Sequence, residues 1–180
     1  MIEKRFFLQP FHIPSSLPDV KITGAISRRS NILFIQYEFI GNLEEVLILE
    51  PVAMPERKHS LWKRTCFEFF LAVKGSPQYW EFNLSPSLDW NVYRFEYYRQ
   101  KEMKEEPAFM SLLFNVRTQP GSFLLDLELD LDKIVMIDQS LEIGISAVIQ
   151  LRDSTLTYWA LTHPGQKPDF HHRSSFIIEL

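Results

Sequence analysis

The chain has a single cysteine, no long hydrophobic run and no excess of basic residues, and each absence removes a class of protein. Cys66 cannot close an internal disulfide by itself, so the core must hold the fold. The apolar stretches fall far short of the ~20 residues that a membrane-spanning helix needs, so no membrane partner is expected. With a formal net charge of −4 and both signs interleaved, the chain offers no lysine and arginine stripe to a phosphate backbone. Nucleic acid is therefore not expected as a partner. The opening "MIEKRFFLQPFHIPSS" is too charged, and its apolar run too short, for a secretory signal. Together with the lone cysteine this gives a cytoplasmic expectation. Also missing are a Gly-x-Ser-x-Gly elbow, a helix-borne HExxH and a cysteine pair. Nucleophilic and metal chemistry thus lack their usual sequence signs, and neither a metal nor another cofactor is expected. No internal repeat or low-complexity tract is present.

What is present is a single-domain length of 180 residues, of which 46% are hydrophobic. Apolar and polar residues alternate along most of it, broken by Pro, Gly, Asn and Ser about every ten residues. In "NILFIQYEF", Leu33, Ile35, Tyr37 and Phe39 share one face, and Gln36 and Glu38 the other. "SFLLDLELD" repeats the pattern, with Phe123, Leu125, Leu127 and Leu129 inward. "CFEFFLAV" and "LEIGISAVIQ" are apolar at both parities, as central strands covered on both faces would be. Strands are expected over 19–28, 31–40, 44–50, 65–73, 78–85, 90–98, 109–117, 122–130, 141–150, 155–162 and 174–180. Segments 10–18, 51–60 and 99–108 read as loops, the last with room for a helical turn. So many short strands in one domain predict an all-β, antiparallel β-sandwich of jelly-roll type, covering residues 1–180.

Polar and aromatic groups converge in three places. In "QYWEFNLSP", Trp80, Phe82 and Leu84 take one face, while Tyr79, Glu81, Asn83 and Ser85 take the other. That second row is either a solvated face or a binding face. Trp62, in "HSLWKRT", is either a plug over the end of the sandwich or a stacking platform. Trp90 is expected at a strand entry near a sheet rim, one edge wet. The closing "HPGQKPDFHH" is a stiff turn that holds His163, Asp169, His171 and His172. Asp169 can lock the turn's backbone donors or an imidazole without any ligand. Glu68 and Glu81 could lie on neighbouring strands, but carboxylates are too common on strand faces for this to argue for glycoside hydrolysis.

Three stretches, "LWKRTCFEFFL", "YWEFNLSPSLDW" and "YWALTHPGQKPDFH", together resemble the DOMON-like proteins of bacteria. These fall within the superfamily of family-nine carbohydrate-binding modules and DOMON domains, and the resemblance runs from about residue 20 to the end of the chain. It implies an antiparallel β-sandwich that is not an enzyme and binds a small sugar or polyol. In the superfamily's sugar binders two tryptophans hold the sugar while an acid and an amide bond its hydroxyls. Carried over, Trp62 is one stacking ring, Glu68 the acid and Asn83 the amide, with Trp159 as the second ring and Trp90 behind it. Where those binders have a basic residue two before the amide, this chain has Glu81. The expected ligand-binding set is thus Trp62, Glu68, Tyr79, Glu81, Asn83, Trp90, Trp159, His163, Asp169 and His171. Two other readings remain open: a protein-interaction module, with a protein partner or a second copy of the chain, and a haem-binding domain with Met54 and His163 as axial pair.

Overall fold

In the computed structural model, residues 3–12 and 19–180 are described. Most of the loop expected over 10–18 lies outside them. The described residues form twelve strands: β1 (Lys4–Pro10), β2 (Val20–Arg29), β3 (Ile32–Gly41), β4 (Cys66–Val73), β5 (Tyr79–Leu84), β6 (Trp90–Phe95), β7 (Lys104–Glu105), β8 (Phe114–Gln119), β9 (Ser122–Asp130), β10 (Leu141–Gln150), β11 (Leu156–Ala160) and β12 (Ile178–Glu179). Their order across the sheet is β7-β6-β5-β4-β10-β11-β1-β2-β3-β9-β8, with β12 beside the first part of β10. All strand pairs are antiparallel.

The expected sandwich or jelly roll of separate sheets is corrected to one continuous sheet curled into a half-barrel. β1 is the cause, because Lys4–Leu8 pair with β2 while Gln9 and Pro10 pair with β11. This joining strand was not anticipated, since "KRFFLQP" mixes charge and apolar residues without alternation. Curling brings the two halves face to face across a common core. Phe67 of β4 stacks on Phe123 of β9 at 5.3 Å between ring centroids. Tyr37 of β3 lies 5.2 Å from Phe67 and donates its hydroxyl proton to the Glu68 carbonyl at 2.8 Å.

The two halves differ on their outer faces. In β3 and β9 the pairs Leu33–Leu129, Ile35–Leu127, Tyr37–Leu125 and Phe39–Phe123 point into the core, and the residues between them are partly or fully exposed. β4, β5 and β6 are instead buried on both faces. β4 and β10 lie side by side at the centre of that half, where their continuous apolarity places them. Close approach also shapes the sheet: a Cβ at Gly24 would stand 2.0 Å from the Gln36 carbonyl oxygen, a space that only glycine leaves open.

Three expected elements are shorter or different. Over 44–50 the chain makes a 3-10 turn, Leu43–Glu45, and then the single bridge Val46–Leu151. Asn42 caps that turn by accepting the Glu44 N–H, a local bond that competes with strand pairing. Over 174–180 a 3-10 turn at Arg173–Ser175, capped by the His172 side chain, precedes the two-residue β12. The segment 99–108 contains β7 rather than a helical turn.

Candidate functional site

The covered outer face of β4, β5, β6 and β10 carries polar and aromatic residues in register. One row across the strands is Ser146–Glu68–Asn83–Asn91, and the next is Gly144–Phe70–Glu81–Tyr93. A third contains Ala72, Tyr79 and Phe95. Tyr79 and Phe95 stack at 4.8 Å, and both pack with Phe70, Tyr93 and Phe176 in an apolar cluster separate from the main core. The solvated-face reading of Tyr79, Glu81, Asn83 and Ser85 is thereby corrected, for all four are buried.

Two loops and the closing segment roof this face. Residues 56–58 clip onto the start of β6: Lys58 N–H donates to the Trp90 carbonyl, and Trp90 N–H to the Glu56 carbonyl. That clip carries the chain to a 3-10 turn at Leu61–Lys63, where Trp62 meets Tyr93 edge-on at 6.0 Å. From the other side, Asp169 holds the closing segment against Tyr98 and Arg99. Its carboxylate accepts from the Tyr98 hydroxyl and the Arg99 guanidinium, and from its own turn at His171 N–H. Burial raises the Asp169 pKa, but the Arg99 and Tyr98 bonds outweigh it and hold the carboxyl below its usual range. Phe176 anchors the segment's end over Gly144, where a Cβ would stand 2.8 Å from its ring. Arg99 and Ser60, flanking the opening, have left-handed φ of 47° and 61°, strained for residues with side chains.

Asp169→Asn is expected to weaken this latch by ~1 kcal/mol, since a charged acceptor bonds more strongly than an amide. Thermal unfolding should then occur about 2–4 °C lower in a chain of this size. An unchanged melting temperature would deny Asp169 its holding role.

Between roof and sheet lies a cleft of about 410 Å³, within the size range of small-molecule sites. Trp62, Phe70, Tyr158 and Phe170 supply aromatic lining, and Glu68, Glu81 and His171 polar lining. Glu68 accepts from Ser146 Oγ at 3.4 Å through Oε2, while its Oε1 is buried without a partner. Glu81 accepts from Asn83 Nδ2 at 2.8 Å and lies 3.7 Å from His171 Nε2. His171 Nδ1 in turn meets the Tyr79 hydroxyl at 2.9 Å. Burial, with Glu81 nearby, pushes the Glu68 carboxyl well above its ordinary range. Burial likewise pushes Glu81 up to about 7, although the Asn83 bond opposes it. His171 goes down to about 4, by burial first and then by the Arg99 charge, so its imidazole is neutral at neutral pH.

The structure therefore brings Trp62, Glu68, Glu81 and His171 to the cleft, with Tyr79, Asn83 and Asp169 one bond behind. It does not bring the other three there. Trp90 lies buried in the main core with the Arg57 guanidinium 4.5 Å over its ring, not at a wet rim. Trp159 is also in the main core, its Nε1 donating to Thr157 Oγ1 at 2.9 Å. His163 sits at the β1–β11 junction, its Nε2 2.8 Å from the Gln9 carbonyl oxygen. Met54 is 79% exposed in its loop, so neither member of the haem pair faces the cleft. Among the described residues no group of three His, Cys, Asp or Glu side chains is placed to hold a metal ion.

Sequence reasoning missed Tyr158 and Phe170. Tyr158 was within reach, because in β11 the residue before Trp159 must face the opposite way.

No family model matches the chain, and no curated protein matches it either. Solved structures share its fold, these two among them. One is a protein from Bacteroides uniformis classed provisionally as carbohydrate-binding, with a TM-score of 0.69 and 12% identity over 96% of this chain and 83% of that one. The other is a family-nine carbohydrate-binding module from Caldicellulosiruptor kristjanssonii in complex with glucose, with a TM-score of 0.51 and 12% identity over 96% of this chain and 81% of that one.

Proposed function

We propose that the cleft binds a small carbohydrate or related polyol without transforming it. The observation that carries this reading is the buried, unpartnered Oε1 of Glu68 in a cleft with aromatic lining. An unpaired acceptor in such a place costs about 1–3 kcal/mol, a cost that a ligand donor removes. A pyranose suits both kinds of lining, with an apolar C–H face for an indole and hydroxyls for carboxyl and amide groups. Trp62 stacks; Glu68 and Glu81 bond hydroxyls; Asn83 orients Glu81, and His171 closes the polar side. In place of Trp159, Tyr158 and Phe170 supply the ring surface across the cleft.

The two structures of like fold, one of them holding glucose, support a sugar ligand. The DOMON-like assignment belongs to the same proposal, and it rests on Trp62, Glu68 and Asn83 standing together at this face. Binding without turnover is favoured by the state of Cys66: burial, then the nearby Glu68 charge, raises its thiol pKa well above the ordinary value and leaves it a poor nucleophile.

A thermal-shift screen against monosaccharides and polyols tests the reading. A ligand at ~100 times its dissociation constant adds about 2.7 kcal/mol, which is several degrees here. A sugar that raises the midpoint by this amount is the expected result. A blank across the panel at high concentration would overturn the proposal.

A further inference from the structure

The cleft contains more acid than a neutral sugar requires. Glu68 and Glu81 are 2% and 4% exposed, and both line it. Glu68 is paired in register with Asn83, two residues along β5 from Glu81, so the two acids are diagonal neighbours on one face. Such neighbours have Cα atoms ~7–8 Å apart, a spacing that lets two long side chains reach one small group between them.

The donors around this pair are few. Ser146 serves Glu68 Oε2, Asn83 serves Glu81 Oε1, and Glu68 Oε1 has none. The charged and titratable groups near the pair are Tyr37 on β3, which reaches the Glu68 carbonyl from the core side, and Cys66 on β4, Tyr79 on β5, Tyr93 on β6 and His171 in the closing segment. None supplies a positive charge at neutral pH, since His171 is neutral there. Of the lining cations, Arg99 is held by Asp169 at 2.9 Å, and Lys63 is exposed on its loop. Two acids thus share a site with no cation between them, beside the rings of Trp62, Phe70, Tyr158 and Phe170. Carboxylates and ring faces both attract an ammonium group.

We propose that the ligand carries a primary ammonium group beside its hydroxyls, as an amino sugar does, and that this group lies between the Glu68 and Glu81 carboxyls. This rests on the sugar reading and narrows it. A neutral hydroxyl can satisfy Glu68 Oε1 but leaves the protons on the two acids in place. An ammonium satisfies Oε1 and also favours ionisation of both acids. Protons that the pair holds in the empty cleft then leave for solvent, so binding of the amine releases protons and binding of a neutral sugar does not.

Isothermal titration of the full chain with D-glucosamine, D-glucose and N-acetyl-D-glucosamine at about pH 6.5, where the amine is charged and the pair still holds protons, tests this. Glucosamine should bind about tenfold or more tighter than either neutral sugar, the gain expected of one charge-assisted bond. Its binding enthalpy should also vary with the ionisation enthalpy of the buffer. Glu81→Gln should reduce the preference, and Glu68→Gln provides a second variant of the same kind. If glucose or the N-acetyl sugar binds as tightly as glucosamine, the ammonium proposal fails and the sugar site stands. If none of the three binds, the ammonium proposal fails, and a blank across the wider panel of monosaccharides and polyols overturns the sugar reading as well.

Discussion

Trp62→Ala is expected to weaken sugar binding about thirtyfold or more while costing the fold less than ~2 kcal/mol. The two numbers separate because the ring is only partly buried. It meets Tyr93 edge-on at 6.0 Å, packs against the smaller apolar cluster, and lines the cleft. A fully buried aromatic truncated to alanine costs ~3–5 kcal/mol, and Phe67, stacked between the two halves of the sheet, is such a residue. Trp62 lacks that burial. Calorimetric titration with the best sugar from the screen, alongside a thermal melt, gives both quantities. Unaltered affinity would remove the stacking role, whereas a loss of stability like that of Phe67→Ala would make Trp62 a plug.

Glu81→Gln is expected to stabilise the protein at pH 8 by on the order of 2 kcal/mol, or about 5 °C in melting temperature. The sign follows from the direction of the shift. In the folded chain the Glu81 pKa rises from 4.5 to about 7, so over that interval the native state holds a proton the unfolded state has lost. Stability therefore falls as pH rises from about 4.5 to about 7, and the full penalty applies above that. Glutamine has no charge to desolvate, and its carbonyl oxygen can still accept from Asn83. Below about pH 4.5 the two proteins should melt alike, since the acid is then protonated in both states. His171 acts in the opposite sense. Its lowered pKa costs stability as pH falls from 6.5 towards 4, but it is present in both proteins and cancels from their difference. A variant no more stable than wild type at pH 8 would contradict burial of an acid kept for binding. A chain that retains such a cost in its cleft gives up stability for function, as binding sites commonly do.

How legible the fold was depended on whether a strand is wet on one side. β3 and β9 alternate because their outer residues are exposed, and their faces were assigned correctly from the sequence. β4, β5 and β6 are covered twice, so parity could not say which face was core and which was site. That is why the sequence leaves the row of Tyr79, Glu81 and Asn83 open between solvent and ligand. The roof hides in the same way: nothing local in "LWK" or "PDFH" reveals that Trp62 and His171 line one cleft over β4 and β5, since they lie far apart in sequence. The resemblance and residue type together point to Trp62, Glu68, Glu81 and His171. The resemblance also draws in Trp90 and Trp159, whose size suits a core as well as it suits a sugar. The continuous sheet was out of reach for a further reason. It depends on the last two residues of β1 pairing with β11, a contact with no local signature.

The central claim is that a sugar enters the cleft between Trp62 and the Glu68–Glu81 pair. Titrating the isotopically labelled protein with a sugar that raises its melting temperature, and following backbone and indole N–H resonances, tests this directly. The predicted result is a cluster of shifted signals at the Trp62 indole and at Glu68, Glu81, Tyr158 and His171, with β8 and β9 silent. Shifts confined to the exposed face of β3, β8 and β9, or none at saturating sugar, would contradict it.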